Sequence, residues 1–154
     1  RAAGFSRTGT LMTGQSLRPK AKFPVVDIHS HTGPTPDTIE RLVGELDALN
    51  VRVLVNLSGG SDPEAIKQKV DFIRGSRYPD RFRVFANVDW DGAGGAGWAE
   101  RAVSRLEASV ANGAIGLKIF KNLGLTAKKA DGSRLKVDDP DLTPVWQACA
   151  RLNI

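Results

Sequence analysis

Both histidines of this 154-residue chain fall within seven residues, VVDIHSH at 25–31. Side chains in a β-strand alternate between faces, so His29 and His31 project from one face, a single strand repeat or roughly 7 Å apart. Two imidazoles held that way can reach one metal ion; the plain alternative is a polar strand end with no ligand. The β-branched run before the pair (Val25, Val26, Ile28) marks a strand, and Gly33 and Pro34 close it shortly after His31. The pair therefore lies at the carboxyl end of its strand, where open α/β sheets and barrels keep their ligands.

The elements that must position this pair repeat as strand and helix. FPVVDIH is followed by a helix over about 36–49, with Thr35 as N-cap, Pro36 at its first position and Asn50 as its stop. VRVLVNL at 51–57 leads to a helix over about 63–75, capped by Asp62 and opened by Pro63. FRVFANVDW at 82–90 leads through the glycine-rich DGAGGAG, read as a flexible loop, to a helix over about 98–111 closed by Asn112 and Gly113. AIGLKIF at 114–120 is followed by a long loop to Asp139 and a helix beginning near Asp141, with Pro144 in its first turn. Strands alternating with helices of this length imply right-handed βαβ crossovers and a parallel sheet.

The parity of polar residues along these strands favours a barrel interior over a flat sheet. Val51, Val53, Val55 and Leu57 share a face, as do Val84, Ala86 and Val88, and Ile115, Leu117 and Ile119. With those apolar faces turned outward to the helices, Asp27, His29, His31, Asn56, Ser58, Asn87, Asp89 and Lys118 turn inward, several at strand carboxyl ends. Asn87 and Asp89 are candidate substrate contacts, although Asp89 equally suits capping the turn after Trp90. Asp27, one repeat below His29, suits either orienting a ligand's ring or filling a polar layer. DGAGGAG lacks the lysine of a phosphate-binding P-loop.

Composition excludes some classes of function. The net charge of +5 resides in residues 1–22, which hold Arg1, Arg7, Arg18, Lys20 and Lys22 and no acid, so the remaining chain is neutral. No basic surface for nucleic acid is expected on the folded part. No apolar run approaches the roughly 18 residues of a membrane span, which points to a soluble protein. Residues 1–22 read as a flexible leader without the apolar core of a signal peptide, and the first residue is Arg rather than Met, as after removal of an upstream segment or in a fragment. Cys149, the single cysteine, reads as a small core residue on a helix.

VVDIHSH on a first strand, ANVDW ending a third, and GAIGLKIFKNLGL running on to DDPDLTPVWQACARLNI resemble the amidohydrolase superfamily. The closest branch is the amidohydrolase-related group of metal-dependent TIM-barrel hydrolases and decarboxylases. The similarity covers residues 23–154 and implies the N-terminal half of a (β/α)8 barrel, four βα units. By this resemblance His29 and His31 bind a divalent metal, most often zinc, and further ligands, a fifth-strand histidine and an eighth-strand aspartate, would lie beyond Ile154. Lys118 matches the fourth-strand lysine that some members carbamylate to bridge two metals; in a one-metal site it would orient a substrate carboxylate or the metal's water. The implied reaction is attack of metal-activated water on an amide, ester or lactone, or a related decarboxylation, of a small-molecule substrate. The leader before FPVVDIHSH also looks like the mature start of exported members.

Two other readings stand beside this one. A DxHxH opening also occurs in phosphoesterases of the polymerase and histidinol-phosphatase type, but those gather further histidines and none follows His31 here. Because a full barrel takes roughly 250 residues, the chain is alternatively an inactive fragment or a degenerate half-barrel. Its first and fourth strands would then be open edges, liable to pair with another copy in a homo-oligomer.

Overall fold

The computed structural model describes residues 20–154. Its elements, in order, are β1 (Val25–Ser30), α1 (Ile39–Leu49), β2 (Val51–Asn56), α2 (Pro63–Gly75), β3 (Phe82–Val84), α3 (Trp98–Ala111), a 3-10 turn (Pro140–Leu142) and α4 (Thr143–Leu152). The fold is α/β: the strands form a parallel sheet in the order β1-β2-β3. Most of the leader lies outside the described residues. Ala21, placed in the leader by composition, is tied to the fold, its N–H donating to Leu49 O and its carbonyl accepting from Asn50 Nδ2.

Local signals set some of the helix ends. Asp62 caps α2 by accepting from Glu64 N at 3.2 Å, and Pro63 occupies a first-turn position that needs no N–H. Asn50 ends α1 in the left-handed conformation at φ 61°. The start of α1 differs from expectation by three residues. Thr35 and Thr38 hydroxyls bond each other at 2.8 Å, and the Thr35 carbonyl accepts from Thr38 N and Ile39 N, so a turn precedes the helix and Thr38 takes the cap position.

Helical spacing then builds one core. Ile39, Leu42, Val43 and Leu46 of α1, Ile66, Val70 and Ile73 of α2, and Trp98, Ala102 and Leu106 of α3 are all buried. They pack against the sheet through Leu54, Phe82, Val84 and Ala86. Trp90 joins the core between Trp98 and Trp146, at ring-centre distances of 6.1 and 6.4 Å. Cys149 packs at its margin, where burial pushes its thiol pKa up and keeps it protonated.

Several expectations about the strands are corrected. The third strand stops at Val84 rather than running to 90, and the fourth is reduced to one parallel bridge, Ala86 with Leu117. Backbone bonds still hold 115–118 alongside, from Ile115 N to Val84 O, Ala86 N to Gly116 O and Lys118 N to Ala86 O. Past Ala86 the side chain of Asn87 replaces the ladder, donating to Leu57 O and Lys118 O. In β2, Leu54 and Asn56 register with Phe82 and Val84 and so share the helix-packed face, whereas the expectation put Asn56 inward. In β1, Val26 and Ile28 are 53% and 69% exposed. The reason is placement: α1 and α2 lie over β2 and β3 and leave the edge strand uncovered. Leu117 and Ile119 do pack against the core, but Ile115 is exposed.

The glycine-rich segment, expected as a flexible loop, is held against the long loop 121–139. Ala130 N donates to Ala93 O at 2.8 Å, and Lys129 pairs with Asp139 and Asp141 across Gly94. A Cβ on Gly94 would sit 2.5 Å from Asp141 Oδ2 and 2.8 Å from Lys129 Cε, and its φ of 74° favours glycine as well. The hydrogen bond to Asp141 raises the Lys129 pKa above the usual lysine value, against the opposing effect of desolvation. A raised folded value means that this tie is fully present below the ordinary lysine pKa and is lost as pH rises through the raised one. Limited proteolysis should therefore find 121–139 protected at neutral pH and newly cleaved in Lys129→Met, with wild type opening only in strong alkali.

Candidate functional site

The strand ends near His29 and His31 are joined by side-chain amides. Leu57 N donates to Ser30 O at 2.8 Å, tying the end of β1 to the segment after β2. Asn56 Oδ1 accepts from Ser58 N at 2.8 Å, which bends the chain after β2 and aims the Ser58 hydroxyl toward β1. Asn87 binds three backbone groups in two other segments: Nδ2 donates to Leu57 O (3.0 Å) and Lys118 O (3.1 Å), and Oδ1 accepts from Gly60 N (2.9 Å). Sequence parity singled out Asn87 as a substrate contact, and the fold commits its amide to these backbone groups.

On this frame the two imidazoles stand side by side, with ring centres 5.6 Å apart and planes at 69°. Imidazoles sharing one zinc through nitrogens at about 2.1 Å have ring centres roughly 5 Å apart, a separation close to the one seen here. His31 Nδ1 lies 2.8 Å from Ser58 Oγ. Its ring face stacks on Phe120 at 5.8 Å and 26°. Lys118 Nζ lies over the same Phe120 ring at 5.9 Å, so His31 and Lys118 share Phe120 as a neighbour, with His29 beside His31. Both histidine side chains are exposed, and the site is an open ledge rather than a closed cavity.

Asp27 acts differently from either role considered for it. Its Oδ1 accepts from the backbone N of His29 at 3.0 Å and so steadies the strand rather than a ring. Asp89 adopts the turn-capping role, Oδ1 accepting from Asp91 N at 3.0 Å while its carbonyl accepts from Trp98 Nε1. It also lines a cleft of about 120 Å³ with Ser61, Asn87, Asp91, Arg101 and Arg105. Among the described residues no group of three or more His, Cys, Asp or Glu side chains is placed to hold a metal ion. Two imidazoles would supply half of the donors that a tetrahedral ion takes.

In the sequence Ser58 stands out only by its parity, and Phe120 only as the last residue of the fourth apolar run. Their contacts with His31 cross 27 residues in one case and join the first and fourth strand–helix units in the other. Spacing alone carries no signal for either contact.

No protein-family model matches the sequence, and no curated protein matches it. No helix among the described residues is long and apolar enough to cross a membrane.

Proposed function

We propose that this chain carries the first-strand metal ligands of a metal-dependent hydrolase of the amidohydrolase-related kind, its βα units forming the N-terminal half of a (β/α)8 barrel. The observation that carries the proposal is the pairing of His29 and His31, rings 5.6 Å apart, at the carboxyl end of a parallel strand. A divalent ion bound there, zinc by preference for two imidazoles, would polarise a substrate carbonyl and bring water ionisation near neutral pH. His29 and His31 would hold the ion as neutral ligands and leave it positive. Lys118, fixed through its own carbonyl by Asn87 and resting over Phe120, would place its ammonium against a substrate carboxylate. Substrates of this chemistry are small amides, esters, lactones or carboxylic acids open to decarboxylation. Two ligands complete only half of a zinc site, which favours a second reading, a binding ledge with no turnover of its own.

One experiment separates these. The purified chain is titrated with zinc by calorimetry, and turnover of an ester and lactone panel is measured on the same samples. Weak binding of one zinc per chain is expected, lost by at least about tenfold in His29→Ala and in His31→Ala. Zinc binding that is indifferent to both substitutions would remove the metal assignment. Binding without turnover would leave the ledge as metal-holding and noncatalytic.

A further inference from the structure

His31 is held by two contacts of different kinds. Its ring edge meets Ser58 Oγ at Nδ1, 2.8 Å away, and its ring face lies on Phe120 at 5.8 Å. Ser58 is itself fixed, because its backbone N–H is bound by Asn56 Oδ1 and the preceding Leu57 is tied to both Ser30 and Asn87. A histidine on an exposed strand end loses rotamer freedom when it binds an ion, and a ring already held in place loses less.

We propose that Ser58 is a positioning residue for the metal pair: by engaging Nδ1 of His31 it leaves Nε2 as the nitrogen presented to an ion shared with His29. This inference rests on the metal reading above. The ion selects the arrangement in which the Nδ1 N–H donates to Ser58 Oγ and the Nε2 lone pair is free. Ligating histidines commonly use their second nitrogen in this manner, and removing the outer partner typically costs about 10–100-fold in metal affinity. The Ser58 hydroxyl takes the place that a carboxylate or carbonyl often fills, leaving less negative charge beside the ion.

The test uses the full chain with histidine ring nitrogens isotopically labelled, and zinc alone as the probe. Zinc is expected to shift His31 at Nε2 and not at Nδ1. Ser58→Ala should weaken zinc about 10–100-fold while its thermal unfolding stays at the wild-type temperature, and Ser58→Thr, which keeps the hydroxyl, should restore affinity. Coordination through Nδ1, or wild-type affinity in Ser58→Ala, would overturn the role of Ser58 and leave the metal reading standing. Zinc that reaches neither ring in wild type would overturn the metal reading itself, and this inference with it. Should Ser58→Ala fail to fold, the nitrogen that zinc shifts in the wild-type chain still decides the question.

Discussion

Gly59→Ala should destabilise the protein by about 3 kcal/mol, lowering its melting temperature by roughly 10 °C. Gly59 N donates to Phe85 O at 3.1 Å, so the two backbones are in direct contact. A Cβ at this position would lie 2.1 Å from Phe85 O and 2.7 Å from Val84 Cγ1. The first obstacle is a main-chain carbonyl in a bridged segment, which cannot rotate away as a side-chain end can. Relief requires moving the SGGS loop off the third strand, which breaks the Gly59–Phe85 bond and the bond from Lys69 Nζ to Gly59 O. Ser58, one residue earlier, moves with it, so the contact to His31 should be lost as well. Gly60 provides the comparison. Its added Cβ meets nothing within 4 Å, but its φ is 101°, so Gly60→Ala should cost only about 1–2 kcal/mol of backbone strain. Thermal melts of the two variants check the ranking; equal melting temperatures would remove the steric account of Gly59.

Asn87→Asp should cost a similar amount, about 3 kcal/mol at neutral pH, despite being nearly isosteric. The amide donates to Leu57 O and Lys118 O and accepts from Gly60 N. A carboxylate keeps the last bond, strips both carbonyls of their donor and sets negative charge against them. The folded state should therefore hold this carboxyl above the usual carboxylate range. With the folded pKa raised, the deficit is smallest at low pH, where the group is protonated, and grows as pH rises through the carboxylate range. Urea melts at acid and neutral pH measure it directly. Asn87→Ala supplies the control, since it loses the same three bonds with no titrating group, and its deficit relative to wild type should not follow this pH trend.

Much of the architecture was legible because the signals are local. Asp62 with Pro63 and Asn50 act through bonds within a few residues, and the residues they cap are neighbours in sequence. The apolar spacing of α1, α2 and α3 identifies their buried faces for the same reason. The strands were less legible. Val53 and Leu54 are both apolar, so alternation alone cannot say which faces the helices, and the register of Leu54 with Phe82 decides it. Nor can apolar character say that Val26 and Ile28 stay exposed, since that depends on which helix lies over β1.

The same division runs through the site. Sequence by itself determined that His29 and His31 share a face at a strand end, because a period of two is a property of the extended backbone wherever that strand lies. It also placed Lys118 on the opposite parity from Leu117, which pairs with Ala86 and packs on the core. Only the tertiary structure decided what surrounds the pair. Parallel pairing brings Ser58, Asn87 and Phe120 to one end of the sheet from three separate segments, and the partner that meets Nδ1 of His31 is a hydroxyl 27 residues away. Asn87 and Asp89 turned out to satisfy backbone groups because a strand that ends early leaves N–H and C=O groups to be bonded. Where those groups fall depends on how the strands are stacked, which no short window of sequence contains.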